Sequence, residues 1–268
     1  MPTAPTLDIN VEVERIRDMY TKDLSQGTFN ALVVGGVGAG KTHLLKTCRR
    51  PILIHSFDPK GTKTLLDEIK EGWVIPDTRF EHDDRKNPQA YITWERQIEA
   101  YAQSHFLEQV GTLALDSFTN FLAALIAHVC KQRGVRKENM EFKEWNIVVS
   151  TVRDLFKLIT SLPCDFVCTA HIQRRVDEAT GRAFVGIDAT PKLQSQLPTL
   201  FDEIYYMEAK EIPGKGIIDR KLLTANTGIY EARTRLGRNG RFLLRETPDI
   251  KALLKKADMP TEDKPWTK

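Results

Sequence analysis

Residues Gly35-Gly36-Val37-Gly38-Ala39-Gly40-Lys41-Thr42 spell G-x-x-x-x-G-K-[ST] in full. That spacing makes a cradle for phosphate. Glycines adopt backbone angles that other residues avoid, so several N–H groups can converge on one anion. A helix that starts directly after the loop adds the positive end of its dipole. Lys41 is then placed to reach the β- and γ-phosphates of a nucleotide, and the Thr42 hydroxyl to hold Mg²⁺. Gly35 through His43 form the expected nucleotide-binding stretch. Four glycines within residues 35–40 carry a cost in chain entropy, which argues against an idle turn. No N-K-x-D stretch occurs to read a guanine base, so ATP with Mg²⁺ is the expected ligand.

Three further polar residues stand at the ends of apolar runs. Leu113-Ala114-Leu115-Asp116-Ser117 puts an acid where ligands gather in doubly wound sheets, at the carboxyl end of a strand. Asp116 can hold Mg²⁺ there, directly or through water, as the Walker B acid does. In ILIHSFDPKG, Asp58 can orient or deprotonate an attacking water. A plain turn residue before Pro59 is the competing reading, and Glu81, Asp83 and Asp84 are rival acids expected in an exposed loop. In Phe166-Val167-Cys168-Thr169-Ala170-His171, the histidine emerges beside the phosphate loop if its strand neighbours the first. It could then hydrogen-bond the γ-phosphate or its water; a satisfied structural histidine is the alternative.

Positioning these groups requires alternating elements. Short β-rich runs at 31–35, 51–57, 111–116, 164–170 and 201–208 read as buried strands. Helical stretches lie between them, at Thr42–Cys48, Pro88–Gln109, Phe118–Lys131 and Phe142–Thr160. This alternation predicts an α/β fold with a mostly parallel sheet. Beyond residue 208, GIIDRKLLTA, GIYEART and GRFLLRE read as antiparallel strands with turns at 226–228 and 238–240. One domain over residues 28–250 is expected, with an N-terminal extension at 1–27 that packs loosely or meets a neighbour. Residues 251–268 are expected as a C-terminal tail whose last ten or so residues fray.

Composition sets the outer limits. The chain has 268 residues, 41% hydrophobic and 28% charged, which excludes a collagen, a coiled-coil rod and a disordered tail. No run approaches the roughly 18 apolar residues of a membrane span, and the first 18 residues lack the apolar core of a secretory leader. Four cysteines suit reduced thiols in a cytoplasmic protein. Cys164 and Cys168 lie close, yet no second ligand pair accompanies them as a zinc site needs. The net charge of +3 does not by itself imply nucleic acid. Its distribution is uneven: residues 232–245 hold five arginines and no acid, and residues 131–143 hold five basic and two acidic residues. Either run could also be a solvated face.

Together, the phosphate loop, the strand ending Asp116-Ser117, the strand ending Thr169-Ala170-His171 and the late Ala-Arg-x-Arg at 232–235 resemble the RecA/RadA-like ATPases. The compact chain looks most like the phage-encoded members described as nucleotide-binding or single-strand annealing proteins. The resemblance covers roughly residues 28–250. It implies a RecA-like P-loop NTPase: a mostly parallel sheet flanked by helices, with a C-terminal antiparallel β extension. It places Asp58 where the family has its catalytic carboxylate, often a Glu followed by Gly; here Pro59 and Lys60 intervene before Gly61. His171 matches the γ-phosphate sensor, with Gln173 as fallback.

The resemblance also implies DNA-binding loops at about 131–145 and 172–196. Those loops carry Arg133, Arg136 and Lys137, and Arg174, Arg175, Arg182 and Lys192. The second holds three acids against its four basic residues, a net +1. Family members work as rings or filaments with ATP between subunits, so Arg233 and Arg235 are the candidates for a finger reaching a neighbour's site, against a solvated β-edge. The implied activity is a DNA-stimulated Mg-ATPase acting on single-stranded DNA in phage recombination or replication, in the host cytoplasm. A helicase or helicase-loader motor, a small-molecule kinase with a lid at 172–196, and a scaffold that binds ATP without turnover are the alternatives.

Overall fold

The computed structural model describes residues 8–22, 27–176, 181 and 183–265. Helix α1 (Ile9–Lys22) comes first. Strand β1 (Asn30–Gly35) runs into the glycine loop and α2 (Lys41–Leu44), which a 3-10 turn extends over Leu45–Thr47. Then come β2 (Ile52–Ser56), α3 (Leu66–Glu71), β3 (Val74–Asp77) and α4 (Ala90–Ala102). Strand β4 (Thr112–Asp116), helices α5 (Phe118–Arg133) and α6 (Phe142–Thr160), and strand β5 (Asp165–Ala170) follow. The remainder is β6 (Ile172–Val176), β7 (Ala183–Ile187), α7 (Pro191–Gln196), β8 (Glu203–Ile212), β9 (Ile217–Leu223), β10 (Arg245–Glu246) and α8 (Ile250–Lys256).

Eight strands form one sheet in the order β3-β2-β4-β5-β1-β8-β9-β10. The run from β3 to β8 is parallel, and β9 and β10 add the antiparallel extension. This is the mostly parallel α/β sheet with a C-terminal antiparallel extension that the sequence predicts. Strand β5 lies between β1 and β4, so His171 does emerge beside the phosphate loop. Strands β6 and β7 pair separately as an antiparallel hairpin.

Both faces of the sheet are covered, as a parallel sheet requires. Successive residues of β1 alternate: Leu32 and Val34 face one apolar layer, Ala31 and Val33 the other. The first layer is closed by α4, α5 and α6 through Trp94, Phe121 and Phe156, the second by α2 and α8 through Leu44 and Leu253. Helix α6 illustrates the local logic. Glu141 and Glu144 form a reciprocal capping box at its start. Its buried Val148, Val152, Leu155, Phe156 and Ile159 then recur at helical spacing. Arg49 and buried Asp165 form a two-pronged ion pair, with Nε to Oδ2 at 2.6 Å, and Asp165 also accepts from Phe29 N at 2.8 Å. One carboxylate thus joins the starts of β1 and β5 to the segment before β2.

Several expectations need correction. The helix expected over 88–109 is two elements: α4 stops at Ala102, and a 3-10 turn covers Phe106–Gln109. Ser104 intervenes, its Oγ accepting from Phe106 N at 3.4 Å. The strand expected at 228–234 makes only two bridges, Val185↔Tyr230 and Ile204↔Arg233. It crosses from the hairpin to the main sheet instead of lining one strand. The strand expected at 240–246 shrinks to Arg245–Glu246. Strand β3 escaped the sequence reading: its four residues include Pro76, tolerated because β3 is a sheet edge. The tail does not fray through residue 265. Asp249 caps α8, whose Ile250, Leu253 and Leu254 are buried, and Lys264 donates to the carbonyl of Pro163 at 2.8 Å. The folded body therefore runs past residue 250.

Candidate nucleotide-binding site

Parallel strands bring their carboxyl ends to one edge, and there β1, β2, β4 and β5 deliver the glycine loop, Asp58, Asp116 and His171. Gly38 and Gly40 take φ of 73° and 105°, angles closed to most side chains. The loop closes through Ala39 N to Gly36 O at 3.3 Å, and α2 begins with Leu44 N to Gly40 O at 2.9 Å. Lys41 is buried. Its ammonium donates to the carbonyls of Gly35 and Gly36 at 2.9 and 3.0 Å. Burial lowers its pKa, against the opposing charges of Asp116 and Asp58.

The His171 ring links the lysine to the candidate water-orienting acid. Its Nδ1 stands 3.4 Å from Lys41 Nζ and its Nε2 stands 3.3 Å from Asp58 Oδ2. An ammonium can only donate, which assigns Nδ1 as acceptor and puts the ring proton on Nε2. On its other oxygen, Asp58 accepts from Ser117 Oγ and Asn120 Nδ2, both at 2.6 Å. Burial pushes the Asp58 carboxyl up, but the hydrogen bonds from His171, Ser117 and Asn120 outweigh it and hold the group below its usual range. Asp58 is therefore an ionised acceptor at neutral pH. The rival acids are already engaged: Glu81 meets the turn around Asp58, accepting from Ser56 Oγ at 2.8 Å and Lys60 N at 3.0 Å. Asp83 accepts from Gln89 N at 2.6 Å at the start of α4.

Asp116 is buried beneath the loop. Its Oδ2 accepts from Thr42 Oγ1 at 2.7 Å and its Oδ1 from Thr169 Oγ1. Burial raises its pKa despite those two donors. A threonine hydroxyl beside a carboxylate is a hard-oxygen pair of the kind Mg²⁺ takes alongside phosphate and water oxygens. The cation's own charge would favour the ionised form of Asp116. Thr42 and Asp116 thus fit the metal that the loop implies.

Lys41, Thr42, His43, Asp58 and His171 border one pocket of about 480 Å³. The same pocket holds a residue that sequence reasoning missed. Arg220, from β9, reaches across to donate from Nε to the carbonyl of Ala39 at 3.1 Å. Nothing in its local sequence announces this. Only the pairing of Ala209 with Arg220 in the arm aims it at the loop.

The other candidate residues scatter. Arg233 stands at the opposite edge, bridged to Ile204 at the start of β8. Its Nη2 donates to the carbonyls of Pro198 and Phe201 at 2.9 and 2.8 Å. This corrects the expectation of a free finger there, because the guanidinium closes the turn before β8. Arg235 pairs with Asp202 at 2.5 Å and remains half exposed.

On the hairpin Arg174 is exposed. Arg175 turns inward to Gln173 Oε1 at 2.8 Å and Ala189 O at 3.3 Å, which corrects its reading as a DNA contact. Gln173, the fallback for the γ-phosphate sensor, accepts from Arg175 and Gln194. Lys192 donates to Asn146 Oδ1 at 3.0 Å, and Arg182 lies outside the described residues. Arg133, Arg136 and Lys137 are exposed at the far end of α5, whose 16 residues span about 24 Å from Asp116. Lys192 meets the end of the first candidate segment, its ammonium also lying 5.9 Å from the centre of the Phe142 ring.

The sequence model of a family described as an AAA domain matches residues 29–236. Among solved structures, the chain is similar to a KaiC-like protein from the archaeon Pyrococcus horikoshii, at 10% identity and TM-score 0.41 over 73% of this chain and 78% of that one. It is similar to the flagellar accessory protein FlaH from Methanocaldococcus jannaschii, at 11% identity and TM-score 0.39 over 81% and 89%. The RadB recombinase aligns at 10% identity and TM-score 0.42 over 78% and 96%. No curated protein matches the sequence.

Proposed function

The chain belongs to the AAA domain family and has a P-loop ATPase fold; from that premise we propose an Mg²⁺-dependent ATP hydrolase that acts on single-stranded DNA. The proposed setting is phage recombination or replication, in the host cytoplasm. Lys41 and the loop N–H groups of residues 35–43 bind the phosphate chain. Thr42 and Asp116 hold Mg²⁺, which neutralises phosphate charge when bound. Asp58, ionised and held by Ser117 and Asn120, orients the attacking water through Oδ2. Positioning of this kind is the main demand of a loose phosphoryl-transfer transition state. His171 exchanges Asp58 for the γ-phosphate or its water, which frees Oδ2 for that role.

The observation that carries this reading is the single imidazole between Lys41 and Asp58. It directly precedes β6, so a change in its partners is felt by the hairpin that bears Arg174. Phosphate contacts from Arg174 and Lys192 suit single-stranded DNA. Helix α1 supports self-association into a ring or filament. Its Ile9, Val13, Ile16 and Tyr20 recur at spacings of four and three, yet are 75%, 39%, 53% and 66% exposed. A second copy would cover such a stripe.

The test is steady-state ATP hydrolysis with and without single-stranded DNA, at two salt concentrations. Stimulation that fades at high salt is the expected result, because phosphate contacts release counterions. Hydrolysis indifferent to DNA would refute the DNA role and favour a kinase or an ATPase acting on a protein.

A further inference from the structure

Arg220 has no counterpart among the groups assigned so far. It projects from the antiparallel arm, opposite Ala209 of β8. It lines the pocket of Lys41, Thr42, His43, Asp58 and His171. Its stem lies directly on the loop: a Cβ added at Gly40 would stand 3.0 Å from its Cδ and 3.1 Å from its Nε. Its recorded hydrogen bond, from Nε to the Ala39 carbonyl, engages one of five donors. Among the described residues no carboxylate lies within ion-pair distance of it, although its strand neighbour Asp219 stands 3.6 Å from Lys221. The residue is also exposed, so the terminal nitrogens are open to a ligand in the pocket.

A structural role for this arginine would call for a buried fork or a fixed partner, as Arg233 has in its two carbonyls. Arg220 has a guanidinium on the rim of a site whose other groups attract anions. Arginine suits that place because its planar fork can hold two phosphate oxygens at once.

We propose that Arg220 is a phosphate-binding residue supplied to the nucleotide site by the chain's own β8–β9 arm. The inference rests on the nucleotide-binding reading above and adds an arginine that acts in cis. Binding of the phosphate chain transfers the guanidinium from the Ala39 carbonyl to phosphate oxygens. The arm is then tied to the nucleotide, and no neighbouring subunit has to deliver this particular charge.

The experiment titrates the full chain with fluorescent ATP and ADP analogues. It compares the unaltered protein with Arg220→Ala, Arg220→Lys and Lys41→Ala, each checked by a thermal melt. Loss of a charge-assisted contact predicts roughly tenfold to hundredfold weaker triphosphate binding for Arg220→Ala. Arg220→Lys keeps the stem over Gly40 and loses the fork, so it falls between. Hydrolysis is also measured in a mixture of Arg220→Ala with Lys41→Ala. In cis, turnover of the mixture stays at the sum of its two parts. Triphosphate affinity unchanged in Arg220→Ala would overturn the proposal. So would turnover restored by mixing, since an intact arginine in one subunit would then be serving an intact loop in another. If the unaltered protein binds no nucleotide, the nucleotide-binding reading fails first and takes this one with it; binding that Lys41→Ala abolishes and Arg220→Ala leaves untouched refutes this inference alone.

Discussion

Replacing Asp58 by Asn separates water positioning from nucleotide binding. Asparagine has nearly the same shape, and its carbonyl can still accept from Ser117 and Asn120, now at 2.6 Å from Oδ1. The difference falls on the other side. There the amide nitrogen would face the protonated Nε2 of His171, which Asp58 Oδ2 accepts at 3.3 Å. Two donors then oppose each other. Moving the ring proton to Nδ1 only transfers the conflict to Lys41, 3.4 Å away. One hydrogen bond to a charged acceptor is lost, a cost of about 1–2 kcal/mol to folding, or a melting temperature lower by roughly 2–8 °C. The effect on turnover is larger. A positioned acid–base group contributes about 10²–10⁴-fold, or roughly 3–5 kcal/mol of barrier. Steady-state hydrolysis should fall by that factor, while affinity for a fluorescent ATP analogue stays within about threefold, since Lys41 and the loop are intact. Hydrolysis within threefold of the unaltered protein would refute the assignment and move attention to Glu81, which already meets the same turn through Ser56 and Lys60.

Lys41→Ala should abolish measurable nucleotide binding by equilibrium titration; retained affinity sinks the phosphate-loop assignment. Arg233→Ala leaves two carbonyls without their donor. It should cost about 2–3 kcal/mol of stability in a denaturant titration and leave nucleotide affinity unchanged; lost turnover at full stability would restore its role as a finger. His55 is buried, accepts from Trp94 Nε1 at 2.9 Å and has no partner for Nε2 among the described residues. Burial lowers its pKa to about 4. The unfolded chain therefore binds the extra proton first, and stability present above about pH 6.5 is lost as pH falls toward 4. His55→Asn, which can still accept from Trp94, should flatten that part of the stability–pH curve; an unchanged slope shows that another group sets it.

The chemistry at the strand ends was legible because each group follows an apolar run that could only be a buried strand. Asp116 and His171 stand directly after such runs, and a parallel sheet must bring those ends together. The order of strands was not legible, so the meeting of Lys41, His171 and Asp58 was conditional until β5 was found beside β1. Arg220 was invisible for a different reason. Its placement depends on the register of the β8–β9 arm, and a shift of one residue would turn it to the opposite face. Arg233 and Arg175 misled because charge runs suggest solvent or ligand, whereas each guanidinium closes a local backbone turn. Strand β3 and helix α8 are short, and their place comes from packing against the sheet rather than from their own periodicity.

The margins of the main sheet bear on how copies of this chain can meet. One margin is β3, four residues long with a proline in it. At the other, β10 covers only Leu222 and Leu223 of β9, and the uncovered stretch carries the charged Asp219, Arg220 and Lys221. The short, proline-bearing β3 and the charged side chains of β9 both work against edge-to-edge pairing with another strand. A contact between copies would fall to side chains such as the apolar ones exposed on α1. Association through side chains would dissolve on dilution and re-form on concentration, unlike pairing along a strand edge.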